Sequence, residues 1–239
     1  FFISCGSSSI DFATPIAGSA RNAQENTQDD TCSRNSYDEG ENEDGQNEDN
    51  GSTDVPTTNT DFSYDMILVP SGSFFMGSPE DEQGRNEDLE AQHEVQLTNN
   101  IYLGTYAVTK ELFTSLMGYD PSGNECGSQC PMTMINWYEV AALANIMSEI
   151  EGLTPCFTCD GEGDLITCDF EIPDPYQCDG YRMPTESEWE YAARAGEYHL
   201  YSGSNVASDV GWYWDNTSTL QAVGQLQPNA WGFYDMTGN

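Results

Sequence analysis

Eight cysteines carry most of the chemistry that this 239-residue sequence could perform. Six fall in short-range groups: Cys126 with Cys130, then Cys156, Cys159, Cys168 and Cys178. Cys156-Phe-Thr-Cys159 has the spacing of a zinc knuckle, but Cys168 and Cys178 supply no second pair two residues apart. Disulfides therefore fit better than zinc, and no βαβ pattern surrounds the Cys-x-x-Cys to make it a redox motif. The stretch from Cys159 to Cys168 carries Gly161 and Gly163 near its middle, as a hairpin turn would. A bridge across its ends leaves Cys156 for Cys178, and Cys126 for Cys130 as a tight local pair. No cysteine stands beside a base or a cluster of cations that would hold it as a thiolate, so none reads as a nucleophile.

The charge balance narrows the partners. There are 41 acidic and 6 basic side chains, a formal net charge of −35. A nucleic-acid binder displaces phosphate counterions with Lys and Arg, and this chain cannot line a groove with six. Lys110 is the only lysine and lies in Val-Thr-Lys-Glu, so no phosphate-binding Gly-Lys-Ser/Thr loop exists. His93 and His199 are too sparse for a His-rich metal centre or an obvious His-based hydrolase.

The N-terminus has its own pattern. Phe1-Phe2-Ile3-Ser4-Cys5-Gly6, followed by three serines, resembles the end of a bacterial lipoprotein signal peptide. Residues 1–5 are read as its remnant and Cys5 as the lipidation site. Residues 6–60 hold mostly Asn, Gln, Ser, Thr, Asp, Glu and Gly, too little apolar surface to offset the entropy of ordering. They are expected to be a disordered acidic tether containing Cys32. No later stretch approaches the roughly 20 apolar residues of a membrane span.

The elements that position the cysteines and carboxylates start near Phe62. Met66–Val69 reads as a strand, and Ser71-Gly72-Ser73 turns into Phe74–Gly77. Ser78 to Gln92 reads as a surface loop, and His93–Leu97 alternates like a half-buried strand. Thr109 can cap a helix carrying Leu112, Phe113, Leu116 and Met117, closed by Gly118. Asn136 with Glu139 has capping-box spacing and opens a helix with Val140, Leu143, Ala144 and Met147 on one face. Thr185 with Glu188 repeats the box before a helix in which Glu190 and Arg194 sit one turn apart, ended by Gly196.

Gly180 to Arg194, through Arg182, Pro184, Thr185, Glu186, Glu188 and Trp189, resembles the Arg-Leu-Pro-Thr-Glu-x-Glu-Trp-Glu-Tyr-Ala signature of the sulfatase-modifying factor family, the formylglycine-generating enzymes. Met66–Val69 with Phe74–Gly77, Ala107-Val108-Thr109, Cys130–Trp137 and Asn229–Asn239 resemble other family segments, in family order. The resemblance spans about residues 64–239. It implies an α+β, C-type-lectin-like domain of low regular secondary structure over residues 61–239, with a Cys-rich insertion at 153–180. Family domains continue past Gly-Asn, so the chain reads as incomplete at the C-terminus.

Catalytic members of the family carry a copper-binding cysteine pair in that later part, and none of the eight cysteines here matches it. No catalytic residue is assigned, and copper is expected only if such a pair exists downstream. The signature helix itself reads as structural, with Thr185 and Glu188 used in capping, Trp189 in the core, and Arg194 paired with Glu190. The family also implies calcium at backbone-rich loop sites, where Asp235 and Gly238 match two ligand positions. Two functions are thereby expected. One is the copper-dependent oxidation of a client sulfatase cysteine, within Cys-x-Pro-x-Arg, to formylglycine. The alternative is a non-catalytic, lipid-anchored binding or envelope-structural module on the same scaffold. Either would be exported to the bacterial envelope. Either would meet a protein or peptide client or a surface ligand, and touch membrane only through its anchor.

Overall fold

The computed structural model describes residues 2–6, 62–82, 84–86, 88–123, 126–170 and 174–239. Apart from Gly6, the acidic segment expected to be a tether lies outside the described residues, as does Cys32.

The centre is a four-stranded antiparallel sheet. Strand β1 (Ser4–Gly6) lies inside it, followed along the chain by β2 (Met66–Val69), β3 (Gly72–Met76), β4 (His93–Leu97) and β5 (Ile101–Gly104). The sheet order is β2-β5-β1-β8, where β8 is Tyr181–Arg182. Ser4 stands opposite Leu103 on one side and Arg182 on the other. β3 and β4 form a separate two-stranded ribbon with Phe75 opposite Glu94.

This placement corrects the reading of the N-terminus. Residues 2–6 are built into the folded domain, with Ile3 and Cys5 fully buried and β1 hydrogen-bonded on both edges. Cys5 is disulfide-bonded, so its sulfur is not available for a lipid thioether. The physical confusion is simple. A strand buried on both faces is a short continuous apolar run, and so is the end of a signal peptide.

Alternation along these strands feeds two cores. Ile3, Cys5 and Tyr102 face a cluster with Val108, Phe113, Leu143 and Met147. Phe2, Ile101 and Leu103 face a second cluster with Val69, Tyr191, Ala192 and Phe233. The first core is covered by α1 (Lys110–Met117) and α2 (Trp137–Ile150). Thr109 caps α1 by accepting from Leu112 N–H, and Gly118 ends it in the left-handed conformation at φ 78°. Asn136 and Glu139 form the capping box of α2.

Residues 153–180 fold back onto α2. Strands β6 (Thr158–Asp160) and β7 (Thr167–Asp169) make a hairpin with Cys159 opposite Cys168, and the two are bridged. Further bridges join Cys156 to Cys178 and Cys126 to Cys130. These sulfurs are consumed by one another, so they cannot hold zinc. Asn145 on α2 clamps the segment by donating to Phe157 C=O at 2.8 Å and accepting from Phe157 N–H at 3.2 Å. Removing the outer bridge with Cys156→Ser and Cys178→Ser should cost about 2–4 kcal/mol, as for native disulfides closing loops of this length. Chemical denaturation checks this. An unchanged midpoint would mean that packing on α2 alone holds the segment.

Candidate functional site

The second core carries the recognisable helix, α3 (Glu186–Arg194), preceded by β8 and followed by the short α4 (Ala207–Val210). Thr185 accepts from Glu188 N–H at 3.2 Å, and the Glu188 carboxylate accepts from Thr185 N–H at 2.7 Å. The capping box is therefore complete. Glu188 has a second task. Both of its oxygens receive Arg182 guanidinium N–H groups at 2.8 Å, with the two side chains 0 % and 2 % exposed. Arg182 also donates to Ser4 Oγ and to Met183 C=O, so β1 and α3 are tied through one guanidinium. Burial pushes the Glu188 carboxyl up, but the hydrogen bonds and charge of Arg182 outweigh it and hold the group below the usual Glu range. Both members of this pair are enclosed by protein, and neither is placed to reach a substrate.

One turn on, Glu190 and Arg194 pair as their spacing requires, at 2.6 Å. The structure adds a third member. Gly77, just past β3, donates to Glu190 Oε1 at 2.8 Å and its carbonyl accepts from Arg194 at 2.7 Å. Gly77 sits at φ 91°, and a Cβ there would press on the Glu90 carbonyl, so only glycine suits this junction. The loop after β3 is thus pinned to α3.

Between them lies a cleft of about 750 Å³, bordered by a smaller one of about 340 Å³ that shares Glu82, Arg194, Glu197, His199 and Leu200. Phe74 and Tyr191 form its apolar floor, with rings 5.1 Å apart. Phe75, Tyr198 and Leu200 are exposed at its mouth. Asp81, Glu82, Glu94 and Glu197 stand around it, while Arg194, the one guanidinium among its described lining residues, is already committed to Glu190.

The remaining expected site residues are scattered. Pro184 is half-buried at the start of the motif, and Thr185 and Glu186 are exposed. Trp189 is half-buried against the second core rather than enclosed in it, because it lies on the flank of α3 facing the smaller cleft. Asp235 is buried at φ 57°, with Oδ2 accepting from Gly224 N–H at 2.8 Å and Oδ1 buried without a partner. Desolvation pushes its carboxyl above the usual Asp range. The Gly238 carbonyl accepts from Trp212 N–H at 2.9 Å. The free Asp235 oxygen suits a calcium ion, but the described residues gather no group of three His, Cys, Asp or Glu able to hold a metal. Asn229, which the sequence reading did not single out, organises this end. It donates to the carbonyls of Ala192 and Ala193 and accepts from the Trp231 and Phe233 amides.

Residues 52–239 match the sulfatase-modifying factor enzyme 1-like domain, and the chain belongs to that family. A chaperone protein, LppX, of Paenibacillus barcinonensis is 32 % identical over 211 residues, covering 76 % of this chain and 71 % of its own. The fold is similar to that of Treponema denticola variable protein 1, with a TM-score of 0.58 and 27 % identity over 74 % of this chain and 70 % of the other. PvdO from Pseudomonas aeruginosa gives 0.53 and 25 % over 73 % and 67 %. CarF gives 0.54 and 25 % over 74 % and 78 %. The three solved structures share the mixed α/β architecture described above.

Proposed function

We propose that this domain is a non-catalytic binding module of an exported protein, built on the formylglycine-generating scaffold and presenting a lectin-like, loop-rich surface to a protein or peptide client. The observation that carries this reading is the state of the sulfurs. Among the described residues every cysteine is disulfide-bonded, so these residues offer no thiolate to copper or to a substrate. Bridges of this density also belong to an oxidising compartment, which supports export to the envelope. Among the described residues no helix is long and apolar enough to cross a membrane. Any lipid anchor would have to attach elsewhere than Cys5. The name of the relative LppX, a chaperone protein, supports a polypeptide client. A calcium ion, if it binds, would take Asp235 Oδ1 and stabilise the loop of residues 229–238 rather than take part in chemistry.

The oxidase reading rests on family membership. The two are separated by incubating the protein with a Cys-x-Pro-x-Arg peptide, copper and oxygen, and weighing the product. We expect no formylglycine above an enzyme-free control. Its appearance would overturn the binding reading.

A further inference from the structure

We propose that the cleft between α3 and the β3–β4 ribbon takes an extended cationic peptide whose lysines or arginines alternate with apolar side chains. The inference rests on the binding reading above and names the class of ligand. Three observations on the cleft converge.

The first is shape and rigidity. A volume of about 750 Å³ lies in the range of built ligand sites. Beside it α3 and the end of β3 are tied through Gly77, Glu190 and Arg194, at distances of 2.6–2.8 Å, which fixes the two walls relative to each other. Such preorganisation lowers the entropy lost on binding.

The second is exposed apolar surface where folding does not require it. Phe75 is 54 % exposed, Tyr198 94 % and Leu200 51 %, all at one opening. Phe75 points away from the core, since its neighbours Phe74 and Met76 occupy the inward positions of β3. Aromatic rings at such a mouth can accept both apolar side chains and cations over their faces.

The third is charge. Glu82, Glu94 and Glu197 line the cleft, and Glu94 sits directly opposite Phe75 across the ribbon. Arg194 offers no free positive charge to an anionic ligand, because Glu190 neutralises it. An anionic ligand is therefore repelled. A single amine would satisfy one carboxylate and leave most of the volume empty. A peptide that alternates cation and apolar group meets both the rim and the floor.

Attraction of any cation to a chain of net charge −35 must be separated from this site. The experiment is fluorescence anisotropy with the purified full chain and three labelled ten-residue probes: lysine alternating with leucine, lysine alternating with serine, and glutamate alternating with leucine. We expect the lysine–leucine probe to bind at least tenfold more tightly than the lysine–serine probe at 0.15 M salt, and the glutamate probe not to bind. Phe75→Ser, and separately Tyr198→Ser, should remove that tenfold margin. Glu94→Gln with Glu197→Gln should weaken the lysine–leucine probe at least fivefold further. Both aromatic positions are solvent-exposed, and an unchanged Tm verifies each variant. Equal affinity for the two lysine probes, or a margin that survives both aromatic variants, overturns the proposal. So does competition by lysine amide at the same concentration as the peptide, which would make this a small-amine site. Binding that survives every cleft variant defeats this inference while leaving a binding role, whereas formylglycine formation in the assay above defeats the role itself.

Discussion

Deleting residues 1–6 will abolish the native domain. β1 is an inner strand, so its removal leaves β5 and β8 with unpaired edges inside the protein and empties the space filled by Ile3 and Cys5. It also removes Ser4 Oγ from the buried Arg182 guanidinium and takes away the Ile3 carbonyl that accepts Gly104 N–H at 2.9 Å. Loss of near-ultraviolet circular dichroism and of any cooperative thermal transition is the expected result. The graded version is Ile3→Ala, which truncates a fully buried side chain and should cost about 2–5 kcal/mol. A deletion variant that melts like the parent protein would restore the N-terminus to the role of a dispensable leader.

The second large effect is expected at Glu188. Replacing it by Ala leaves the Arg182 guanidinium buried without a counter-charge and removes the carboxylate half of the α3 capping box, together about 3–5 kcal/mol. Thr185→Ala removes only the exposed half of the capping box and should cost about 0.5–2 kcal/mol. The pH dependence follows from the direction of the shift. The folded Glu188 carboxyl is held below its ordinary 4.5, so its stabilisation is complete above that value and is lost as pH falls through the lower folded one. Asp235 has the opposite sign. Its folded carboxyl is raised above 3.8, so its contribution favours the native state in acid and fades as pH rises. The Lys110–Asp120 pair, which lowers Asp120 to about 2, also titrates in acid but is common to parent and variant. Stability measured between pH 3 and pH 7 should therefore fall less steeply on acidification in Glu188→Gln than in the parent. Parallel curves would show that the pair carries no net pH-dependent stabilisation.

Local signals were legible and long-range pairing was not. Thr109, Asn136 and Thr185 announced three helix starts because the cap and its partner lie within three residues of each other. The Cys159–Cys168 hairpin was readable for the same reason. The end of α3 was misplaced by one residue, since Ala195 itself takes the left-handed conformation at φ 48° ahead of Gly196. β5 carried no alternation to read, because all four of its residues are buried. The Arg182–Glu188 pair escaped because six residues is no helical spacing and Arg182 lies on the strand before Pro184. The cleft was least legible of all. Its two walls, α3 and the β3–β4 ribbon, are tied beside it by Gly77 and Glu190, which are 113 residues apart in sequence and are joined only by the tertiary fold.

The inner position of β1 also sets a timetable. Its hydrogen-bonded neighbours are residues 101–104 and 181–182, and the Ser4–Arg182 contact spans 178 positions of the chain. During synthesis β1 can pair with β5 once residues 101–104 have emerged, but its second edge stays open until β8 follows. Closing so long a loop also slows the search in refolding. The domain should therefore mature late and nearly all at once, with acquisition of native structure limited by arrival of β8 rather than by the early helices.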